Sequence, residues 1–478
     1  MQLPIVGPSY EHASQDVNAQ KCINLFLSDA GPGGRTPAVL LPTAGLYELG
    51  DCTGTEVRAL MVHGTHLYAL VNSTVYSLTW NASALTLTPS SIGTISTSST
   101  GPISWAINPT QIMFVDGTAT GGWIITVATD TLAQIVDVDF TGGKTVTFMD
   151  SYFIYNTPSS TTMFATALND GSSMAALDFA TAEGHPDNIV ALATDKRELW
   201  VFGEKSVEIW YDAANATGFP FSRREGAFID YGCGAAHSVV KFDNSLVWLD
   251  NRGFIVRSEG YTPKVISTEA VSKAIRGYTT TSDALAFEHI DRGHIFYVIT
   301  FPTEGKTWSY DATTEQWHER NYTTPTTGVA TRHLANCHLR YQQYDFVGAY
   351  NSGKLYLLSN DYYDDDGDAI HRIRVTPHIN AEFNLIGIDS LELLMESGKA
   401  LATGTGSDPQ IMMRYSHDGG YTWSNELARS IGKIGEYDKS IRWNRLGIGR
   451  EWVFEFRITD PFAFSIIDAS IMTSGGKG

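Results

Sequence analysis

The chain has little of what marks a secreted, membrane-embedded or nucleic-acid-gripping protein. Its four cysteines, Cys22, Cys52, Cys233 and Cys337, are scattered over 478 residues without a C-x-x-C pair. That distribution excludes a disulfide scaffold and fits isolated reduced thiols. The opening MQLPIVGPSYEHASQD carries no basic stretch leading into an apolar one, so no secretory signal is expected. No apolar run approaches bilayer length, and no membrane insertion is expected. Positive charge is also short: 33 Lys and Arg against 52 Asp and Glu give a net charge of −19 at pH 7. A surface built on phosphate neutralisation is thereby disfavoured. The same acidity is compatible with a wall past which DNA slides, because like charges repel. Helix signals are sparse.

What is abundant is strand and turn. Hydrophobic residues make up 43% of the chain and aromatic residues 12%, with 44 glycines to break it into short elements. These features predict an all-β protein with a substantial core. Residues 1–50, broken by Pro4, Pro8, Pro32, Pro37 and Pro42, read as an irregular N-terminal arm that packs across another part of the molecule or another subunit. Within it, Lys21–Leu27 is one strand candidate.

From Val57 onward the rhythm is strand, tight turn, strand. Val57–Val62, His66–Val71 and Thr74–Trp80 form a meander, and apolar runs at 111–115, 122–128, 134–140, 145–149, 189–193, 198–202, 206–211, 246–249, 254–257, 294–301, 306–310, 344–350 and 354–358 continue it. At about 40–50 residues per blade, this span predicts a β-propeller of roughly six to seven blades, with sandwiches in series as the alternative. Residues 51–383 are assigned to the propeller and 384–478 to a C-terminal β domain. Two helical patterns interrupt the rhythm: a weak one over Ser173–Phe179, and a stronger one over Ser267–Tyr278 capped by Ser267 or Thr268.

Candidate chemistry is thin. Thr141–Thr145 (TGGKT) resembles the end of a phosphate-binding loop, but Val138 stands where that loop needs glycine, so a hairpin turn is expected. Asp361–Asp368 (DYYDDDGD) resembles a calcium loop. With Gly367 at the turn, however, Tyr362 and Ile373 fall at ligand positions, so a solvated acidic hairpin is expected. His333, Cys337 and His338 have metal-like spacing without a second cluster. Glu183, His185 and Asp187 offer an unspecific acid–base trio. No residue is assigned to catalysis, a metal or a cofactor.

The most specific local motif is Ser416-His417-Asp418-Gly419-Gly420-Tyr421-Thr422-Trp423, which fits the Asp-box turn of sialidases and other propellers. Ser416, Asp418, Gly420, Thr422 and Trp423 are its expected structural residues. The carboxylate folds back on following N–H groups, the glycines supply positive φ, and the tryptophan packs beneath. A sialidase-like site also needs several arginines gripping a carboxylate and a Tyr–carboxylate pair. Here there is one box, outside the propeller, and Arg223-Arg224-Glu225 is the only obvious arginine cluster. A sialidase-like glycan hydrolase, or a carbohydrate-binding propeller, therefore stands only as the alternative reading.

Taken in order, four blocks resemble a known family. They are NAQKCINLFLS near the start; the G-E-x-S-x-E-x-W, F-P-F and Y-G-C elements within Leu199–Ser267; the acidic hairpin followed by Arg372 and Arg374; and the stretch from the Asp-box to Thr459-Asp460-Pro461. Together they resemble the packaged-DNA stabilisation proteins, or tail hubs and nozzles, of short-tailed bacteriophages. The resemblance implies a non-enzymatic virion protein made in the bacterial host cytoplasm. It implies a homo-hexameric ring beneath the portal and head-to-tail adaptor that extends and closes the DNA channel. Tail needle, spike or fibre proteins would be its further partners, and packaged double-stranded DNA would pass through without sequence-specific binding.

Overall fold

In the computed structural model, which describes all residues except 183, 186, 216, 381–383 and 476–478, the chain is almost entirely β. Seven four-stranded antiparallel blades follow one another around an axis, five as separate sheets, the sixth within a twelve-stranded sheet and the seventh within a six-stranded one. Blades one to six span 57–94, 104–134, 146–181, 189–229, 240–265 and 285–323. Blade seven takes three strands from Ala335–Tyr341, Tyr344–Ala349 and Lys354–Ser359, and its fourth from Gly45–Asp51. The first part of the chain thus closes the ring, and its closing strand straddles the expected boundary at residue 50.

Seven apolar clusters hold the propeller together, one at each blade-to-blade interface. Alternate residues of one strand serve different neighbours: Ile112 and Phe114 pack toward blade one, Met113 and Val115 toward blade three. Burial on both faces is why the second strands read as unbroken apolar runs. The outermost strands are different. Thr86–Thr94 is mostly exposed and lacks an apolar signature, and the expected strand at 134–140 lies instead at Thr131–Gln134.

The second body is a β-sandwich. One sheet orders Leu25–Asp29, Ala38–Pro42, Ile466–Gly475, Ile386–Met395 and Ile441–Gly449, with Gln2–Leu3 also paired to Ile466–Gly475. The facing sheet orders Ala19–Ile23, Arg372–Val375, Glu451–Ile458, Gln410–Ser416 and Leu427–Ser430. Leu3, Ile5, Cys22, Leu25 and Leu40 from the arm share its core with Trp443, Trp452, Phe454 and Phe456. Gly447 sits inside a strand at φ 107°, opposite the register shift between Ile388 and Ser390, rather than in a separating turn.

The arm therefore does cross the molecule, but along short strands rather than as irregular chain. Its prolines fall between or at the ends of those strands, where no ladder hydrogen bond is lost. Two other expectations change. Asp170–Thr181 is the long outer strand of blade three, not a helix, because pairing with Thr162–Ala167 overrides a weak helical period. The TGGKT segment is the crossover from blade two to blade three, not a hairpin. The boundary expected at 383–384 falls on residues outside those described. The helix at Glu269–Arg276 is present, with the Thr268 hydroxyl accepting from the Val271 N–H at 3.4 Å.

Candidate functional site

The structure gathers the five Asp-box residues into one loop. The Ser416 hydroxyl donates to Asp418 Oδ1 at 2.6 Å and accepts from the Gly420 N–H at 2.8 Å. Asp418 accepts from the Thr422 N–H at 2.8 Å and from its hydroxyl at 2.5 Å. Those bonds hold the Asp418 carboxyl down at about 2. Gly419 and Gly420 take φ 74° and 96°, which L side chains adopt only with strain. Arg414 lies 4.8 Å over the Trp423 ring. The loop also docks on the arm, where Gln15 Nε2 donates to the Gly420 carbonyl at 3.3 Å. The Gln15 carbonyl in turn meets His378 Nε2 at 2.8 Å.

No arginine cradle forms around this loop. Arg223 pairs with Glu208 at 3.6 Å and Arg224 with Glu198 at 2.9 Å, on the outer part of blade four. Arg58, at the propeller axis, spends its donors on the Gly101, Asn72 and Ser98 carbonyls and the Ser98 hydroxyl. Glu183 lies outside the described residues, the His185 ring is 3.9 Å from Asp230, and His185 meets Asp187 only through the backbone, where the Asp187 N–H donates to the His185 carbonyl at 2.9 Å.

The acidic hairpin is built into the ring closure. Asp365 pairs in register with Leu46 of the closing strand, and Lys354 binds both Asp366 at 2.6 Å and Glu48 at 2.7 Å. Asp368 accepts from the Tyr322 hydroxyl at 2.6 Å. Only part of the hairpin is solvated. Asp365 is buried, and burial pushes its carboxyl up to about 7 despite Arg320 and Arg372 nearby.

Two buried residues to which the sequence assigns no role of this kind, Arg374 and Asn24, fasten the arm. The Arg374 guanidinium donates to the carbonyls of Ile5 at 2.5 Å, Pro8 at 2.8 Å and Lys21 at 3.3 Å, and to Gln20 Oε1 at 2.8 Å. Asn24, at φ 53°, donates to Asn321 Oδ1 at 2.8 Å and the His371 carbonyl at 2.9 Å, and accepts from the Asn321 N–H at 3.0 Å. Arg372 and Arg374 alternate with Ile373 and Val375 on one strand, so both basic side chains share a face, and that face is inward. The alternation was the available signal.

The suspected His333–Cys337–His338 group does not converge. His333 Nδ1 accepts from the Ala335 N–H at 3.2 Å, and Cys337 Sγ lies 3.7 Å from the Val57 carbonyl. His338 instead meets Asp345 and, across the blade interface, His289.

On the propeller axis, Leu60, Trp105, Thr145, Leu192, Val239, Phe287 and Cys337, one from each blade, line a cavity of about 270 Å³. Its neighbour toward one end carries Glu56, Asp116, Lys144, Asp283 and Arg332. Among the described residues no helix is long and apolar enough to cross a membrane.

Comparison with known proteins gives two family matches. The model for the β-propeller of bacteriophage P22 Gp10 matches residues 1–363, and that for its β-sandwich matches residues 371–474. No curated protein matches the chain. Among solved structures, the computationally designed Ika8 protein aligns at 13% identity over 71% of this chain and 99% of its own, with a TM-score of 0.39. A chain of a mitotic checkpoint complex aligns at 13% identity over 70% of this chain and 96% of its own, with a TM-score of 0.43. PorZ, a type-IX secretion component of Porphyromonas gingivalis, aligns at 10% identity over 80% of this chain and 46% of its own, with a TM-score of 0.40. Likenesses this distant carry no argument about function.

Proposed function

The chain belongs to the bacteriophage P22 Gp10 family, a propeller-plus-sandwich tail structural protein of the packaged-DNA stabilisation class, and from that premise we propose how it serves the virion. Six copies form a hub or nozzle ring below the portal and adaptor. The ring extends the DNA channel, retains packaged DNA and becomes its exit path. Needle, spike or fibre proteins attach to it.

One observation supports an assembled ring over a single-propeller conduit. Side chains from around the ring close in on the propeller's own axis, where one cavity of about 270 Å³ adjoins another of about 380 Å³. A duplex whose major groove alone is about 12 Å wide does not pass through it. On this reading the DNA path runs between subunits, and the chain's net charge of −19 is compatible with walls that do not hold phosphate. As working units we take the propeller, closed by Gly45–Asp51, and the sandwich that absorbs the strands on either side of it in sequence.

A glycan-hydrolase role is not favoured. The Asp418 carboxylate is engaged by its own turn, and Arg223 and Arg224 are each paired with a glutamate. The deciding experiment is the mass in solution of the purified protein, alone and mixed with its cognate portal–adaptor assembly. A six-fold ring, formed alone or on the adaptor, supports the proposal. A persistent monomer that ignores the adaptor overturns it and makes a screen for sialoside cleavage the next step.

A further inference from the structure

His289, His338 and Asp345 bring two imidazole nitrogens and a carboxylate oxygen within 4.8 Å of one another, all three side chains at least nine-tenths covered. They come from different blades: His289 from the first strand of blade six, His338 and Asp345 from the first two strands of blade seven. His338 Nε2 is 2.8 Å and His289 Nδ1 3.9 Å from Asp345 Oδ1. Both ring nitrogens of His289 are buried without a hydrogen-bond partner. Leaving buried polar groups unpaired is destabilising, so a position that keeps two of them needs a reason.

We propose that this cluster is a structural divalent transition-metal site, of the Zn²⁺ type, that cross-links blade six to blade seven, the blade that the N-terminal segment completes. Two nitrogens and one oxygen are a donor set that Zn²⁺ accepts, at about 2.0–2.2 Å, with water as fourth ligand. In tetrahedral geometry such donors sit about 3.3 Å apart. The 2.8 Å pair opens by roughly half an ångström, the 3.9 Å pair closes by about as much, and the two imidazole nitrogens, within 4.8 Å of each other, close by up to about 1.5 Å as the side chains rotate. His338 keeps its proton by moving it from Nε2 to Nδ1, and His289 presents one lone pair while its other nitrogen stays protonated. No co-reactant is required.

The surroundings are arranged as ligand supports are. Arg340 Nη1 donates to the other Asp345 oxygen at 2.8 Å, which fixes the carboxylate and leaves Oδ1 for the ion. Phe287 stacks on His338 at 5.1 Å and Phe296 on His289 at 6.2 Å, which sets both ring planes. His338 also borders the axial cavity, which supplies an entry route. This inference does not depend on the hexamer proposal, because it concerns one chain's own closure.

The test uses the full-length chain, purified without an affinity tag, stripped with EDTA and titrated with Co²⁺ and then Zn²⁺. The expected result is one Co²⁺ per chain with visible ligand-field bands of a tetrahedral nitrogen–oxygen site. Stoichiometric Zn²⁺ should displace those bands and raise the thermal midpoint. His289→Gln and Asp345→Asn should each lose the bands and the metal-dependent shift. His66→Gln, at an exposed histidine 3.8 Å from Asp130, should keep both. Absence of the bands from the folded wild-type chain overturns the proposal. So does binding that survives in His289→Gln, or that disappears with His66→Gln, since either result marks surface histidines as the ligands. If the substituted chains do not fold, the wild-type Co²⁺ spectrum and stoichiometry alone decide.

Discussion

Ile23 stands in parallel register with Glu319, and through that single pairing the sheet of blade six runs on into the sandwich. Asn24 strengthens the junction by donating its N–H to the Glu319 carbonyl at 2.9 Å. Propeller and sandwich are therefore joined by a continuous twelve-stranded sheet with the arm as the seam, not by a flexible tether.

Arg374 should be the most sensitive residue of that seam. Truncating it strands three arm carbonyls and Gln20 inside the protein, each deprived of a charged donor. Arg374→Met is expected to lower unfolding free energy by about 3 kcal/mol or more in urea titration. It should also open residues 5–21 to protease. Arg374→Lys should recover little, because one ammonium cannot reach four separated acceptors.

Ring closure can be probed at Gly45, where an added methyl group runs into the Asp364 and Tyr362 carbonyls. The backbone there is not left-handed, so crowding alone acts. Gly45→Ala should cost about 1–3 kcal/mol by shifting the closing strand off blade seven. Hydrogen exchange should rise over 45–51 and 354–359 while the sandwich strands stay protected.

In the Asp-box, Asp418→Ala removes the acceptor for both the N–H and the hydroxyl of Thr422. Faster exchange and proteolysis at 416–423 are expected, with the global unfolding midpoint little changed. Because the Asp418 carboxyl is depressed to about 2, its contribution is present above the ordinary aspartate value of about 3.9 and fades as pH falls toward 2. Acid should loosen this loop in the wild type and leave the variant's loop unaffected.

His318 responds to acid in the same direction, but from a higher pH. It is packed against Phe26 and Phe296, and burial, aided by Arg320, lowers its value to about 3. The folded state keeps it neutral, whereas the unfolded chain protonates it near 6.5. Its contribution is thus complete above pH 6.5 and lost as pH falls toward 3. Between pH 7 and 4 the wild type should lose about 3 kcal/mol relative to His318→Gln in parallel unfolding series.

Much of the fold was legible because inner blade strands are buried on both faces and carry unbroken apolar runs. His294–Phe301 falls where the sequence places it to the residue. Outer strands such as Thr86–Thr94 escaped notice because one face meets solvent and threonine and serine replace the apolar signal. Blade seven's fourth strand could not be read from local pattern at all, since its partner lies some 300 residues away. The Asp-box was legible because the bonds that shape its turn are local. The His289–His338–Asp345 group was not, because blade packing rather than sequence spacing assembles it.

The closing strand Gly45–Asp51 is made early but waits for Lys354–Ser359, and the N-terminal amine waits longer still for the Ile471 carbonyl, 2.8 Å away in the finished protein. During synthesis at about 5–20 residues per second, the leading segment spends tens of seconds without its partners. The propeller is incomplete until Lys354–Ser359 has been made, and the sandwich until Ile466–Gly475 has. A prematurely terminated chain keeps open strand edges and exposed apolar faces, so it is marked for chaperones and proteases before it can enter a virion. Completeness of translation is thereby checked by topology.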